Sequence, residues 1–337
     1  MNRLINLFVA FATIIILYTP LHAQKDTWTA GRPDGHAPIG VMGDHYHSKG
    51  EWMVSLRHIL MDMNGMRSGS SSTSVGDVLT DFMVSPSEMQ MQMSMLGLMY
   101  AISDRVTLTG MTNLVSNDMD LVTRMGGQFN TSSSGLGDFR LGAIIRLLNP
   151  QKQSIHANIG LSIPTGDIDQ RDATPVSENS PLAYPMQLGS GTFDPYLGLT
   201  YLGQSNSFSW GAQGTYTYRV GENDRNFSYG NNFNITGWGA YKATNWLSFS
   251  GRLQFMSEGS LAGSASDWNP GLMPLFDIQN SGRSQLDAGV GLNLYVASGS
   301  FKNLRFGAEY LFPINQQVDG VQMERVSSTI LGIQYAF

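Results

Sequence analysis

The pattern that decides the fold is clearest in one stretch, Met89-Gln90-Met91-Gln92-Met93-Ser94-Met95-Leu96-Gly97-Leu98-Met99-Tyr100. Methionine falls at every second position from Met89 to Met95, and the phase returns at Met99. Side chains of a β-strand alternate between two faces with a period of two. The stretch therefore predicts one β-strand with a row of thioethers on one face.

The same alternation recurs along the rest of the chain in about twelve segments of roughly 9–13 residues, which is the length of a tilted membrane-spanning strand. The clearest further example is 154–163, where Ile155, Ile159 and Ile163 share one face. Connections alternate between short ones, such as 102–104 and 242–244, and long ones, such as 64–88, 117–137 and 257–283. This layout predicts an all-β protein, a transmembrane antiparallel up-and-down β-barrel of about twelve strands with its short turns in the periplasm.

Composition supports this prediction and excludes several functions. Only 14% of the 337 residues are charged, 38 are glycine and none is cysteine. A net charge of -6 without any basic run argues against a nucleic-acid partner. The absence of cysteine excludes disulfides, thiolate zinc sites and cysteine nucleophiles. Low charge with many glycines is typical of an outer-membrane barrel, whose hydrophobicity is confined to alternate residues.

The N-terminus predicts export. A short basic start, an apolar run over 4–18 and a small residue at Ala23 are typical of a signal peptide, predicted to span residues 1–23. Residues 24–50 contain Gly, Pro and His without any period, and we interpret them as an irregular segment in the periplasm or in the barrel mouth. The barrel itself is predicted for residues 51–337, in the bacterial outer membrane. Its last strand ends at Phe337, which resembles the signal that outer-membrane assembly machinery reads.

A soluble lipocalin-like periplasmic binder is the alternative fold, because alternation alone fits it as well. The polar face of the strands, however, carries many charges, which a wide wet lumen accommodates as ion pairs. The predicted lumen charges are Arg57, Arg105, Arg140, Arg146, Arg219, Arg252, Asp287, Arg305 and Glu309.

Three stretches, 43–55, the methionine strand 89–100 and Leu161-Ser162-Ile163-Pro164-Thr165-Gly166-Asp167, resemble a family of Gram-negative outer-membrane proteins. Members of this family are labelled transporters or proteins of the meta-pathway of phenol degradation. The methionine-rich first third with His45-Tyr46-His47 is similar to one subgroup. The resemblance covers essentially the whole mature chain and implies an outer-membrane barrel. Its label implies uptake of aromatic compounds.

We expect no enzymatic activity. A hydrolytic barrel enzyme needs a nucleophile with a base in hydrogen-bond reach. Beyond the N-terminal segment only His58 and His156 remain, and His156 lies between Ser154 and Asn158 on the polar face. No Ser/His/Asp spacing stands out, and His156 is interpreted as an ordinary lumen residue.

Metal binding is the sharper hypothesis. Most of the 19 methionines lie between Met42 and Met125. Thioethers on neighbouring strands can converge on one soft ion such as Cu(I) or Ag(I), whereas oxidised copper prefers imidazole. Asp44 lies beside the histidines. The candidate metal residues are Met53, Met61, Met63, Met89, Met91, Met93, Met95, Met99, Met111, His36, His45 and His47.

The sequence therefore predicts a monomeric channel or transporter in outer-membrane lipid, with a methionine-lined lumen that binds or passes soft metal and copper as its candidate ligand. Passive uptake of small aromatic or apolar solutes is the alternative function. One condition follows from the register: if the methionines face the lumen, Gln90, Gln92 and Ser94 face outward and have to lie above the lipid.

Overall fold

The segments with alternating polar and apolar side chains form the strands of a closed antiparallel barrel. The computed structural model describes residues 28–337, so the predicted signal peptide lies outside the described residues. Twelve strands form the wall, and the last pairs with the first to close it. They are β1 (Trp52–Ser68), β2 (Val84–Ser103), β3 (Val106–Thr123), β4 (Phe139–Leu148), β5 (Gln153–Ile163), β6 (Asp194–Gln204), β7 (Phe208–Thr217), β8 (Asn232–Lys242), β9 (Leu247–Glu258), β10 (Arg283–Tyr295), β11 (Leu304–Val318) and β12 (Val321–Ala336). The predicted twelve-stranded barrel is confirmed.

Connections sort to the two ends of the barrel as the sequence predicts. Short turns join β2 to β3, β4 to β5, β6 to β7, β8 to β9 and β10 to β11 at what we call the short-turn end. The long-loop end carries one helix, α1 (Val75–Asp81), and further short strands (Ser71–Thr73, Gln128–Leu136, Arg171–Thr174, Ser177–Pro181, Phe227–Ser228 and Ala262–Gly263). Three short 3₁₀ turns lie there as well, at Tyr184–Met186, Pro274–Phe276 and Ile278–Asn280. Among residues 28–337, no helix is long and apolar enough to cross a membrane.

Two of the predicted long loops are largely strand instead. β1 continues to Ser68 and β2 begins at Val84, within the predicted loop 64–88. β3 continues to Thr123 and pairs there with Gln128–Leu136, which replaces most of the predicted loop 117–137. The alternation itself persists here, with Asn117 and Met119 buried and Asp118 and Asp120 exposed. The outward-facing residues are polar here, so the sequence lacks the apolar face of a membrane strand and resembles a loop.

A belt of outward-facing apolar side chains surrounds the part of the wall nearer the short-turn end. On β2 the outward residues Leu96, Leu98 and Ile102 are exposed hydrophobics, and Leu56 and Leu114 continue the belt on the neighbouring strands. Near the short-turn end Trp52 stacks on Tyr100 with ring centroids 4.2 Å apart, as expected at a membrane interface. A soluble lipocalin-like barrel would instead place its apolar face inside, so the apolar outer belt excludes that alternative.

Between this belt and the long-loop end, the outer surface of the wall is polar. Gln90 Nε2 donates to Asp62 Oδ1 at 3.1 Å, and Asn64 Nδ2 donates to Glu88 Oε1 at 3.0 Å. His58 and Ser94, which are register partners, share a 2.9 Å hydrogen bond at the boundary. The eleven residues from Val84 to Ser94 extend about 33 Å along the strand at roughly 3.3 Å per residue. The polar positions of β2 therefore lie on a part of the wall that rises beyond the apolar belt.

A pair of charge substitutions tests this placement. We expect Leu98→Arg to lower the free energy of unfolding in lipid vesicles by about 2–4 kcal/mol. The folded barrel would hold the cation in the hydrocarbon near the middle of the belt, which destabilises the folded state, whereas unfolding transfers it to water. Gln92→Arg, on the same face of the same strand, should cost only about 0–1 kcal/mol because it lies outside the hydrocarbon. Urea titration monitored by tryptophan fluorescence measures both. Equal losses would contradict the assigned belt.

Candidate functional site inside the barrel

Residues 28–50, which we call the plug, contain no helix or strand and lie inside the barrel at the short-turn end. Side chains of the wall bind its backbone from several sides: Arg57 Nε donates to Ile39 O at 3.0 Å, and Ser209 Oγ to Asp34 O at 2.6 Å. His156 Nε2 contacts Gly43 O at 2.9 Å. The sequence left open whether this segment lies in the periplasm or in the barrel mouth. In the structure, residues 28–50 lie in the barrel mouth. His156 is a wall residue that holds the plug.

Two charged residues of β11 also bind the plug. The buried Arg305 guanidinium donates to the backbone oxygens of Ala30, Arg32 and Pro33, at 2.6 Å for Arg32 and 3.3 Å for Pro33. Glu309 Oε2 accepts from Gly40 N at 2.9 Å. Since the plug has no regular structure, these wall groups supply the partners that its backbone would otherwise lack.

Two wall glycines give the plug space. A Cβ atom on Gly307 would lie 2.7 Å from Ile39 Cβ, and one on Gly332 would lie 2.7 Å from Ile39 Cγ1. Both distances are far shorter than van der Waals contact. Ile39 therefore packs against wall positions where any larger residue would displace it.

A cavity of about 440 Å³ lies on the inner side of the plug. Met42, Asp44 and His45 of the plug form part of its lining, together with Met53, Met99 and Met111 from the first three strands. The opposite wall contributes polar groups, among them Asn232 and Thr236 of β8. Four guanidinium groups also line it: Arg57, Arg140, Arg219 and Arg252.

Most predicted lumen charges do face the interior. Arg252 Nε donates to Glu309 Oε1 at 2.7 Å, Arg219 pairs with Asp194, and Gln285 Nε2 donates to Asp287 Oδ1 at 2.6 Å. Two guanidinium groups lie against aromatic rings: Arg146 lies 5.4 Å from the Tyr46 ring and Arg140 lies 5.9 Å from the Tyr196 ring.

The prediction for Arg105 was wrong. Arg105 is exposed in the turn between β2 and β3, because β2 ends at Ser103 after a register shift and the alternation does not carry across the turn.

The candidate methionines fall into two interior groups. In the group nearer the plug, Met53 and Met99 are register partners on β1 and β2, and both are buried. Met111 of β3 also lines the cavity there. Met95 is buried at the level of Arg57, and Met93 is half-buried beside Ile59.

The other group lies towards the long-loop end. Met63 pairs with Met89, which pairs with Met119, so that three neighbouring strands place a methionine at one height. Met61 and Met91 form the next pair below. All five pack in a cluster, which we call the cap, with loop residues that include Met186, Phe227, Trp268, Met273 and Phe276. A sequence pattern limited to one strand could not reveal the loop residues that complete this cluster.

Three of the four candidate polar ligands of the plug meet at one point. A ligand-capable atom of each of His36, Asp44 and His45 lies within 4.8 Å of those of the other two, and all three residues are buried. The His36 and His45 ring centroids are 3.8 Å apart. His47 borders this group, with its ring centroid 5.0 Å from that of His45.

Burial controls the charge of these groups. It lowers the pKa of His36 well below its ordinary value and lowers the pKa of His47 to about 3. The pKa of the Asp44 carboxyl is lowered, because the charge and hydrogen bond of His45 outweigh the effect of burial. At neutral pH the imidazoles of His36 and His47 are therefore neutral and the Asp44 carboxyl is ionised, which are the forms that bind a metal ion.

Comparisons with known proteins agree with this architecture. A profile of the family described as "Putative MetA-pathway of phenol degradation" matches residues 72–303. The COG4313 outer membrane channel from Pseudomonas putida F1 is similar in structure, with a TM-score of 0.62 at 14% identity over 89% of this chain and 100% of that one. A FadL homologue from Pseudomonas aeruginosa matches with a TM-score of 0.43 at 12% identity, over 91% of this chain and 93% of that one. No curated protein matches significantly in sequence.

Proposed function

Because the chain belongs to the family described as "Putative MetA-pathway of phenol degradation" and folds as an outer-membrane barrel of the channel and transporter type, we propose that it is a gated channel for a soft metal ion, Cu(I) or Ag(I). Thioethers are soft, neutral ligands that favour such ions over hard cations. The proposal includes a monomeric barrel without catalytic activity, which the assembly machinery recognises through β12 and the Phe337 that follows it.

One observation supports the metal proposal most: methionines occupy the interior at successive levels. The row Met63–Met89–Met119 and, one level below that row, the pair Met61–Met91 lie in the cap, and Met53–Met99 lies at the cavity. Directly opposed residues of antiparallel strands have Cβ atoms about 5 Å apart, so two flexible thioethers can reach one ion. An ion could then pass from level to level without meeting a hard ligand first.

Replacing the cavity methionines tests the proposal. We expect Met53→Leu/Met99→Leu/Met111→Leu to weaken Ag(I) binding at least about tenfold, because ligand atoms are lost while side-chain volume is nearly kept. Isothermal titration on the purified full-length mature protein in detergent measures the affinity, and Ag(I) flux into proteoliposomes should fall in parallel. The control is Met83→Leu/Met125→Leu, since both side chains are exposed outside the interior. Unchanged binding and flux in the triple variant would reject the metal function.

Uptake of small aromatic compounds is the second candidate, favoured by the family description and by the size of the cavity. A volume of about 440 Å³ falls within the roughly 300–1,000 Å³ typical of small-molecule sites. Phenol flux into the same proteoliposomes separates the candidates. Aromatic uptake would be favoured if phenol flux exceeds the flux into protein-free vesicles and changes neither on addition of Ag(I) nor in the triple variant.

A further inference from the structure

We propose that His36, Asp44 and His45 form a binding site for a divalent transition-metal ion inside the plug. This inference concerns imidazole and carboxylate ligands and does not depend on the thioether pathway. It holds equally if the barrel carries organic solutes.

The hydrogen bonds of the two imidazoles determine which nitrogen atoms are available. His45 Nδ1 lies 2.8 Å from Asp44 Oδ1, and His36 Nδ1 lies 3.2 Å from Gln334 Oε1. Both partners are oxygen acceptors, so each Nδ1 carries the proton and donates it. In the neutral form of each imidazole, Nε2 then has a lone pair and no proton.

The lone pair on His45 Nε2 is buried without compensation. His45 Nε2 has no hydrogen-bond partner among residues 28–337, although the residue is only 1% exposed. His47 Nε2 is unpartnered in the same way. A buried polar atom without a partner is costly, and the bare Nε2 of His45 within this cluster points to a cation as its missing partner.

The hydrogen-bond acceptors that hold the two imidazoles are of the kind found around metal sites. A metal-binding histidine commonly donates its other N–H to a carboxylate or carbonyl oxygen, which fixes the ring and its tautomer. Asp44 performs this role for His45, while its second oxygen, Oδ2, accepts from Ala37 N at 2.9 Å. Gln334 of β12 performs it for His36, which connects the site directly to the barrel wall.

The ligands select the class of ion. Two imidazole ligands, one of them held by the Asp44 carboxylate, suit Cu(II), Zn(II) and Ni(II), and Cu(II) binds most strongly in the usual affinity order. Ligand atoms as far as 4.8 Å apart must approach by roughly 0.5–1.5 Å to share an ion at about 2.0–2.2 Å. His36 and His45 bracket the middle of the plug, so a bound ion would cross-link that segment and hold it more firmly in the barrel.

Cu(II) binding to the EDTA-treated, full-length mature protein, without reductant, tests this site. We expect one equivalent of Cu(II) with nitrogen hyperfine coupling in its electron paramagnetic resonance spectrum. His36→Asn/His45→Asn should weaken binding at least about a hundredfold. His58→Asn, a histidine on the outer wall, should bind as the unmodified protein does. Heat-dependent gel mobility checks that each barrel is folded.

Two further variants keep the test decisive. Asp44→Asn retains the shape of the side chain and should still weaken Cu(II) binding, even if the double histidine variant fails to fold. The triple methionine variant described above should keep its Cu(II) site, so failure of one proposal is distinguishable from failure of the other. The site is rejected if the unmodified protein lacks a nitrogen-coordinated equivalent, or if folded Asp44→Asn and His36→Asn/His45→Asn bind Cu(II) as the unmodified protein does.

Discussion

Deletion of residues 28–47 should raise the ion conductance of the barrel at least several-fold. The plug lies across the interior at the short-turn end, and conductance follows the open cross-section of a pore. Planar-bilayer recording of single channels measures the change. Gel mobility with and without heating should show that the deleted form still folds, because the wall pairs strand to strand without the plug.

A single substitution should reproduce part of this effect. Arg305→Ala removes the side chain that donates to three plug carbonyls, so we expect longer or more frequent openings than in the unmodified channel. Arg105→Ala is the matched control, since it removes the same group from an exposed turn at the same end. If the folded deletion variant conducts no better than the complete chain, the plug is not the barrier and the cap becomes the gate to examine.

Glu309→Ala should lower the free energy of unfolding by about 3–5 kcal/mol, because it leaves the buried Arg252 guanidinium without its carboxylate. Both side chains are nearly inaccessible, and the same carboxylate also accepts from Gly40 of the plug. Urea unfolding in phospholipid vesicles measures the loss. The apolar double variant Arg252→Met/Glu309→Leu should recover most of it, since no unpaired charge remains in the interior.

An exposed ion pair is the control for this effect. Asp169, whose side chain is half exposed, pairs with Arg171 at 3.1 Å and with Arg225 at 3.0 Å, and both arginines keep Asp267 as a second partner. Asp169→Ala should therefore change stability little, because water screens such pairs. A comparable loss in both variants would indicate that the Arg252–Glu309 pair contributes no more than an ordinary surface contact.

Sequence periodicity was sufficient for the wall of the barrel. The strand pleat sends successive side chains to opposite faces, so Leu96 and Leu98 could be assigned to the face opposite the methionines. The same rule failed where local geometry changes. Arg105 lies in a turn, and the polar outer residues of β2 and β3 resembled loops because the rule does not say where the lipid ends.

The plug illustrates what periodicity cannot reach. Residues 28–50 have no repeating pattern, so nothing local to them specifies a position. Their position depends on contacts with residues far away in the chain, such as Arg305 with Pro33 and Gly332 with Ile39. Nothing in the sequence of their own strands distinguishes these glycines and this arginine. Their common role in holding the plug becomes visible only in the folded structure.

The sequence by itself determined the barrel, its strand number, the two faces of each strand and the end that carries the long loops, because these follow from the two-residue period and the connection lengths. Tertiary structure alone decided that His36, Asp44 and His45 meet inside the lumen and that the methionines divide between a cavity and a cap. The physical reason is that the period is a property of each strand, whereas both groupings require closure of the barrel and folding of the plug and loops into it.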